Sequence, residues 1–272
     1  MQIKIHRGIN QIGGCVAEIK SKKARILIDV GTNLPTCKSN VKVNVARISK
    51  KCDAVFITHY HLDHIGEYMQ VKKDVPIYIG EQAKEVFTIY QKKMKEPNIA
   101  EITQAHIDRV KTFKTFKQGA PLEIGDMKIT PIRVDHSAFD SYMFLIEADG
   151  KRILHTGDFR THGPTGKDIP KLLKDLGKVD VLICEHTTLS RLDETFMSEF
   201  MLQTEAINLI KNNKYVFIMC ASTNIDRIAS FYHANKKAGK KLFICDDYQK
   251  EILDYITKTS KKYADYYNFS DV

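Results

Sequence analysis

The stretch His59-Tyr60-His61-Leu62-Asp63-His64 packs three imidazoles and a carboxylate into six residues, with the spacing H-x-H-x-D-H. By composition alone such a pattern arises in roughly one chain of this length per thousand. Imidazole nitrogens and carboxylate oxygens are ordinary ligands of divalent metals, and on a tight loop they can face one ion or two adjacent ions. A solvated histidine-rich loop is the alternative, and the flanks argue against it. Residues 53–58 read as a short buried strand, and Ile65-Gly66-Glu67-Tyr68-Met69 can open a helix. The cluster therefore falls where a strand gives way to a helix, a usual place for sites on α/β scaffolds.

The 272 residues suffice for one large domain, or one domain and part of another. A hydrophobic share of 43% with 28% charged residues is that of a globular protein. No apolar run reaches the ~18 residues a membrane-crossing helix needs, so no membrane partner is expected. The first residues, Met1-Gln2-Ile3-Lys4-Ile5-His6, alternate like a strand and lack the apolar centre of a signal peptide, which makes a cytoplasmic location the default. Cys15, Cys37, Cys52, Cys184, Cys220 and Cys245 are scattered without a C-x-x-C pair, so neither a disulfide framework nor a zinc knuckle is indicated. The formal charge of +9 suits a phosphate-rich partner, and a solubilising lysine coat explains it equally well.

Along the chain the first part is rich in strands. Residues 15–20 and 25–29 flank a Ser-Lys-Lys turn like a hairpin, 75–79 reads as a strand and 81–95 as a surface helix. Three strand-like runs follow at 128–134, 141–148 and 151–155, with Asp149-Gly150 as a turn signal, and 179–184 reads as a further buried strand. Beyond about residue 195 the texture becomes β-α-β-α. Helices are expected at 198–212 (apolar face Phe200, Ala206, Leu209, Ile210), 225–238 and 249–260, with strands at 215–220 and 241–245. The division expected is 1–195 and 196–272, the second region too small to stand alone and so cut short or completed by another chain.

Further metal ligands are available at strand ends. His136 closes one run, and Asp158 closes another at a Gly-Asp turn. Such a carboxylate can bridge two ions held ~3.5–4 Å apart. Asp29, after Ile26-Leu27-Ile28, is placed to orient a ligand histidine. Each has a plainer reading as a capped turn or a strand-end carboxylate. His6 and His106 have no partners in sequence and read as structural or surface residues, as does His233 on its helix. The lysine-rich segments 90–95 and 111–117 read as solvated faces, with contact to a nucleic-acid backbone as the alternative. Ser222-Thr223-Asn224, between a strand and a helix, is either a phosphate-binding turn or an ordinary N-cap.

Taken in order, Asp29, His59-x-His61-x-Asp63-His64, His136 and Asp158 in His155-Thr156-Gly157-Asp158-Phe159-Arg160 resemble the motif series of the metallo-β-lactamase superfamily. Asp135-His136-Ser137, Glu185 in Leu182-Ile183-Cys184-Glu185-His186-Thr187, and Ser222-Thr223-Asn224-Ile225-Asp226-Arg227 resemble its β-CASP nuclease branch. The resemblance spans essentially the whole chain. It implies an α/β fold: a metallo-β-lactamase αββα sandwich with an incomplete C-terminal half, then the start of a parallel α/β β-CASP domain. It also implies two zinc ions, one on His59, His61 and His136, the other on Asp63 and His64, with Asp158 bridging. RNA is the implied partner, with a second copy of the chain as a further candidate.

The implied reaction is phosphodiester hydrolysis, with Asp63 orienting the attacking hydroxide and Glu185 supporting a histidine that protonates the leaving oxygen. This chain departs from the branch in lacking the two histidines that follow the β-CASP insertion. The second zinc site is therefore expected to be weak or empty, and the activity low. Two rival functions stay open: a small-molecule metallo-hydrolase of thioesterase or lactonase type, and a non-catalytic subunit that binds RNA or a nuclease.

Overall fold

Apolar runs that alternate with short helices form a parallel sheet, and those joined by tight turns form an antiparallel one. Both occur in the computed structural model, which describes every residue except 36, 38–40, 94–99, 189–194, 241 and 261–262. In chain order the elements are β1 (Gln2–Arg7), β2 (Val16–Lys20), β3 (Arg25–Ile28), α1 (Val45–Ser49), β4 (Ala54–Phe56), α2 (Leu62–Ile65), β5 (Ile77–Gly80), α3 (Glu81–Lys93), α4 (Ala100–Lys111) and β6 (Lys114–Phe116). There follow β7 (Leu122–Ile124), β8 (Met127–Val134), β9 (Ser141–Ala148), β10 (Lys151–His155), α5 (Ile169–Leu176), β11 (Val181–Ile183), α6 (Glu199–Asn212), α7 (Ile225–Lys237) and α8 (Asp247–Thr259). Contacts divide the chain into two compact units. The first holds 1–134, 140–159 and 176–190, and the second 135–139, 160–175 and 191–272.

The first unit contains both sheets. One has the order β1-β2-β3-β4-β5-β6, antiparallel through β3 and parallel from there to β6. The other runs β11-β10-β9-β8-β7, an antiparallel meander closed by parallel β11. Residues from both sheets make one core, with Ile26, Ile28, Phe56 and Phe116 from the first and Ile129, Tyr142, Phe144 and Ile146 from the second. Phe144 is the hinge of this packing, meeting Phe56 and Phe116 edge-on at 5.5 Å each. Aromatic pairs of this kind are worth ~0.5–1.5 kcal/mol apiece beyond the area they bury. The α/β architecture expected from the sequence is thus the one observed.

Local differences have local causes. Helix α3 is not a surface helix; Ala83, Val86, Phe87 and Ile89 are buried against the sheet, and the end expected at 94–95 lies outside the described residues. Strand β11 is short and exposed rather than buried, because it forms the sheet edge with β10 as its one neighbour. Helix α6 buries Ala206 and Ile210, whereas Phe200 and Leu209 face outward.

In the second unit α6 and α7 pack through Ala206, Ile210 and Ala234. The strands expected at 215–220 and 241–245 are not formed among the described residues. Their chain carries apolar side chains but no ladder, and a strand exists only where a neighbour takes its backbone hydrogen bonds. Phe217 and Met219 are 98% and 100% exposed, and Leu242 and Ile244 are exposed as well.

Beneath these helices lies a buried polar network. Arg160 contacts Asp135, Glu199 and Asp226, Arg227 pairs with Glu199, and the Tyr267 hydroxyl donates to Asp226 at 2.6 Å. Burial pushes the Asp226 carboxyl up to about 6 against the pull of Arg160 and the Tyr267 hydrogen bond, while Asp135 and Glu199 add to the rise. A carboxyl that binds its proton more tightly folded than unfolded favours the folded state at low pH. That contribution is lost as pH rises from about 4 through about 6. Urea unfolding of wild type and Asp226→Asn across this window is expected to show the falling slope in wild type and a flatter one in the variant. Parallel curves would remove Asp226 from the account.

Candidate metal centre

The candidate ligands in the first unit sit beyond the carboxyl ends of its strands, on the loops and the short helix α2 that follow. Asp29 directly follows β3, Thr58 and His59 lie just past β4, and Asp158 lies three residues past β10. Asp29 is fully buried and held at φ 61°, a left-handed conformation that aspartate tolerates better than most side chains. Its carboxylate accepts from the Thr58 amide at 2.8 Å, from the Thr58 hydroxyl at 2.9 Å and from His64 Nδ1 at 2.7 Å.

This arrangement fixes two tautomers. The Thr58 hydroxyl has a single hydrogen and gives it to Asp29, so at 3.0 Å it accepts from His59 Nδ1–H. His64 likewise spends Nδ1–H on Asp29. In the neutral form each ring presents its Nε2 lone pair to another partner. His59 Nε2 lies 3.1 Å from His61 Nδ1, and His64 Nε2 lies 3.3 Å from Asp158 and 3.7 Å from Asp63. One ligand atom each from His59, His64 and Asp158 falls within 4.8 Å of the others. Two ligands about 2.1 Å from a shared tetrahedral ion are about 3.4 Å apart, so the donor atoms fit a cation in both type and spacing.

The electrostatics agree. Burial works against a charge on His64, yet the carboxylates of Asp29 and Asp158 hold its pKa well above the ordinary range. The place attracts positive charge. Burial, helped by His64, pushes His61 down and keeps it in the neutral, ligating form. His155, buried behind the site, is also pushed down by burial and accepts the Gly157 amide on Nδ1.

Two loops press on Asp63. Cys15 N–H donates to the Asp63 carbonyl at 2.9 Å, and a Cβ on Gly31 would fall on that same carbonyl. A Cβ on Gly13 would lie 2.5 Å from the Asp63 carboxylate. Only glycine leaves room at these two places. Asp63, His64, Asp158 and Glu185 line one cavity of about 670 Å³, with Gln11, Cys15 and His186. Glu185 accepts the Thr187 amide on its carboxylate, and its own amide donates to Thr156 Oγ1.

His136 follows β8 by two residues, on the short segment grouped with the second unit. Ser222, Thr223 and Asn224 are also in the second unit, where Asn224 caps α7 by accepting the Arg227 amide. His162 stacks near Phe196, and His233 packs on Tyr266 and donates to its carbonyl. His6 pairs with Glu18, and His106 with the Tyr68 hydroxyl. Thr58 was not singled out from the sequence, because a threonine that closes a strand carries no signal until its hydroxyl is seen between Asp29 and two imidazoles.

Among the described residues no helix is long and apolar enough to cross a membrane. A model of the beta-lactamase superfamily domain matches residues 24–218. Ribonuclease J of Helicobacter pylori is 25% identical over 277 residues, covering 96% of this chain and 39% of its own length. An RNase J-like protein of Methanocaldococcus jannaschii is 30% identical over 200 residues, covering 70% of this chain and 44% of its own. The chain thus spans about two fifths of the length of these curated relatives. A crystal structure of a protein of unknown function from Enterococcus faecalis shares the fold, with a TM-score of 0.68 at 20% identity over 85% of this chain and 62% of that one. With a family model matching well over half its length and strand-end ligands gathered as described, the chain belongs to the beta-lactamase superfamily.

Proposed function

We propose that this chain is a zinc-dependent phosphodiester hydrolase of the β-CASP nuclease branch, acting on RNA. The observation that carries the reading is the Asp29–Thr58 pair, which turns the Nε2 lone pairs of His59 and His64 toward a common point beside Asp158. The ribonuclease J names of the relatives support RNA as substrate. A cavity of about 670 Å³ lies within the usual range for ligand sites, ~300–1,000 Å³. All six cysteines are free thiols, as suits a reducing compartment such as the cytoplasm.

In this proposal His59, His61 and His136 would hold one ion and Asp63 and His64 the other, with Asp158 available to both. Bound zinc would supply Lewis-acid polarisation of a phosphate oxygen and of water. The chain does the rest. Asp63, on the cavity wall, takes up the proton of the attacking water, and Asp29 keeps the His64 ring from turning. Glu185, on the same cavity wall, is proposed to orient a water that protonates the leaving oxygen in place of the histidine the branch uses. Ser222, Thr223 and Asn224 are proposed to take a substrate phosphate on hydroxyls and helix-start amides.

The test is zinc per chain by elemental analysis, followed by cleavage of labelled single-stranded RNA against a chromogenic ester and a lactam. RNA cleavage that stops on chelation and returns with zinc is the expected result. Turnover of the ester alone would replace the nuclease by a small-molecule hydrolase.

A further inference from the structure

Arg7 ends β1 with its side chain buried at 6% exposure, among backbone rather than substrate. Its Nε donates to the Gly14 carbonyl at 2.8 Å, and its Nη2 donates to the Gly31 carbonyl and to Glu67 Oε1, the latter at 2.8 Å. Gly14 belongs to the loop whose Gly13 presses on the Asp63 carboxylate, and Gly31 to the loop that backs onto the Asp63 carbonyl. Glu67 follows α2, the helix that carries Asp63 and His64, and its own amide donates to the Val30 carbonyl at 2.7 Å. Val30 N–H in turn donates to the His64 carbonyl at 2.7 Å.

One guanidinium therefore ties together the three segments that enclose the Asp63–His64 peptide. We infer that Arg7 is a positioning residue for the Asp63–His64 half of the metal centre, acting through the two glycine loops rather than on substrate. The inference rests on the metal reading proposed above. Stability alone is a poor reason for such a residue, because a buried ion pair does little better than a well-packed apolar pair of similar volume. What an apolar side chain cannot do is hold two carbonyls and a carboxylate at fixed angles. A lysine ammonium does it less well than the planar guanidinium.

The inference separates the two ions. Supports that orient metal ligands from outside usually contribute about 10–100-fold in affinity. The full chain, stripped of metal and titrated with zinc against a chromophoric chelator, is expected to take up one ion firmly and a second, at Asp63 and His64, more weakly. Arg7→Met is expected to weaken one of them by about 10–100-fold and leave the other unchanged. The cobalt-loaded forms report the same selectivity through the absorption band of the affected site, and His61→Ala identifies the other ion. Arg7→Lys is expected to lose less affinity at the same ion, and it carries the test should Arg7→Met fail to fold.

Equal weakening of both ions, or no change in a folded variant, overturns the inference and leaves the metal reading standing. A wild-type chain that binds no zinc overturns both.

Discussion

Asparagine at position 63 is expected to lower RNA hydrolysis by about 10²–10⁴-fold while the fold persists, the range that a positioned proton acceptor contributes. The substitution keeps the shape of the side chain and removes its charge. The backbone role of residue 63 survives, because its carbonyl still accepts the Cys15 amide. Loss of the carboxylate takes a negative charge from beside His64 Nε2, 3.7 Å away, so zinc affinity at that half of the centre should fall as well. Single-turnover cleavage at saturating zinc separates the two effects. A variant whose rate returns to wild type once the metal is saturated would limit Asp63 to metal binding. Unchanged kinetics at every zinc concentration would remove it from the mechanism.

Alanine at Gly31 should produce the largest loss of stability from a single methyl group. The added Cβ meets the Asp63 carbonyl, which is backbone with no side-chain end to swing aside. Gly31 also donates to the Cys15 carbonyl and accepts from Arg7, so it cannot retreat without breaking one of these bonds. Overpacking of this sort costs ~1–3 kcal/mol and sometimes more. For a domain near this size that corresponds to a fall in Tm of roughly 2–12 °C, at about 2–4 °C per kcal/mol. Gly119→Ala provides the contrast: its φ is +73°, yet nothing lies within 4 Å of an added Cβ. It should show the cost of a left-handed backbone without the collision. Equal Tm losses in the two variants would mean that crowding against Asp63 is unimportant.

The antiparallel sheet was legible where the sequence signal and the structural cause were both local. Strands β9 and β10 come out at the residues of the two strand-like runs, because Asp149-Gly150 supplies two positive φ values, +50° and +67°, for the tight turn between them. The imidazole cluster was legible for the same reason, since four candidate ligands fall within six consecutive residues. Thr58, Gly31 and Arg7 were not, because each matters only through residues distant in sequence that the sheet brings alongside. Residues 215–220 and 241–245 went the other way. Their apolar content suggests strands, but composition reports that a side chain wants burial and says nothing of whether a neighbouring backbone is there to pair with.

Those same residues carry a practical consequence. Along Tyr215 to Cys220 no strand pairing forms among the described residues, leaving an unpaired edge where two large side chains, Phe217 and Met219, are almost bare. Edges of this type serve as templates for other extended polypeptides. Concentrated solutions of the isolated chain should therefore turn turbid at concentrations where Phe217→Lys with Met219→Lys stays clear, so that the yield of soluble protein is governed by a surface remote in sequence from the proposed metal ligands.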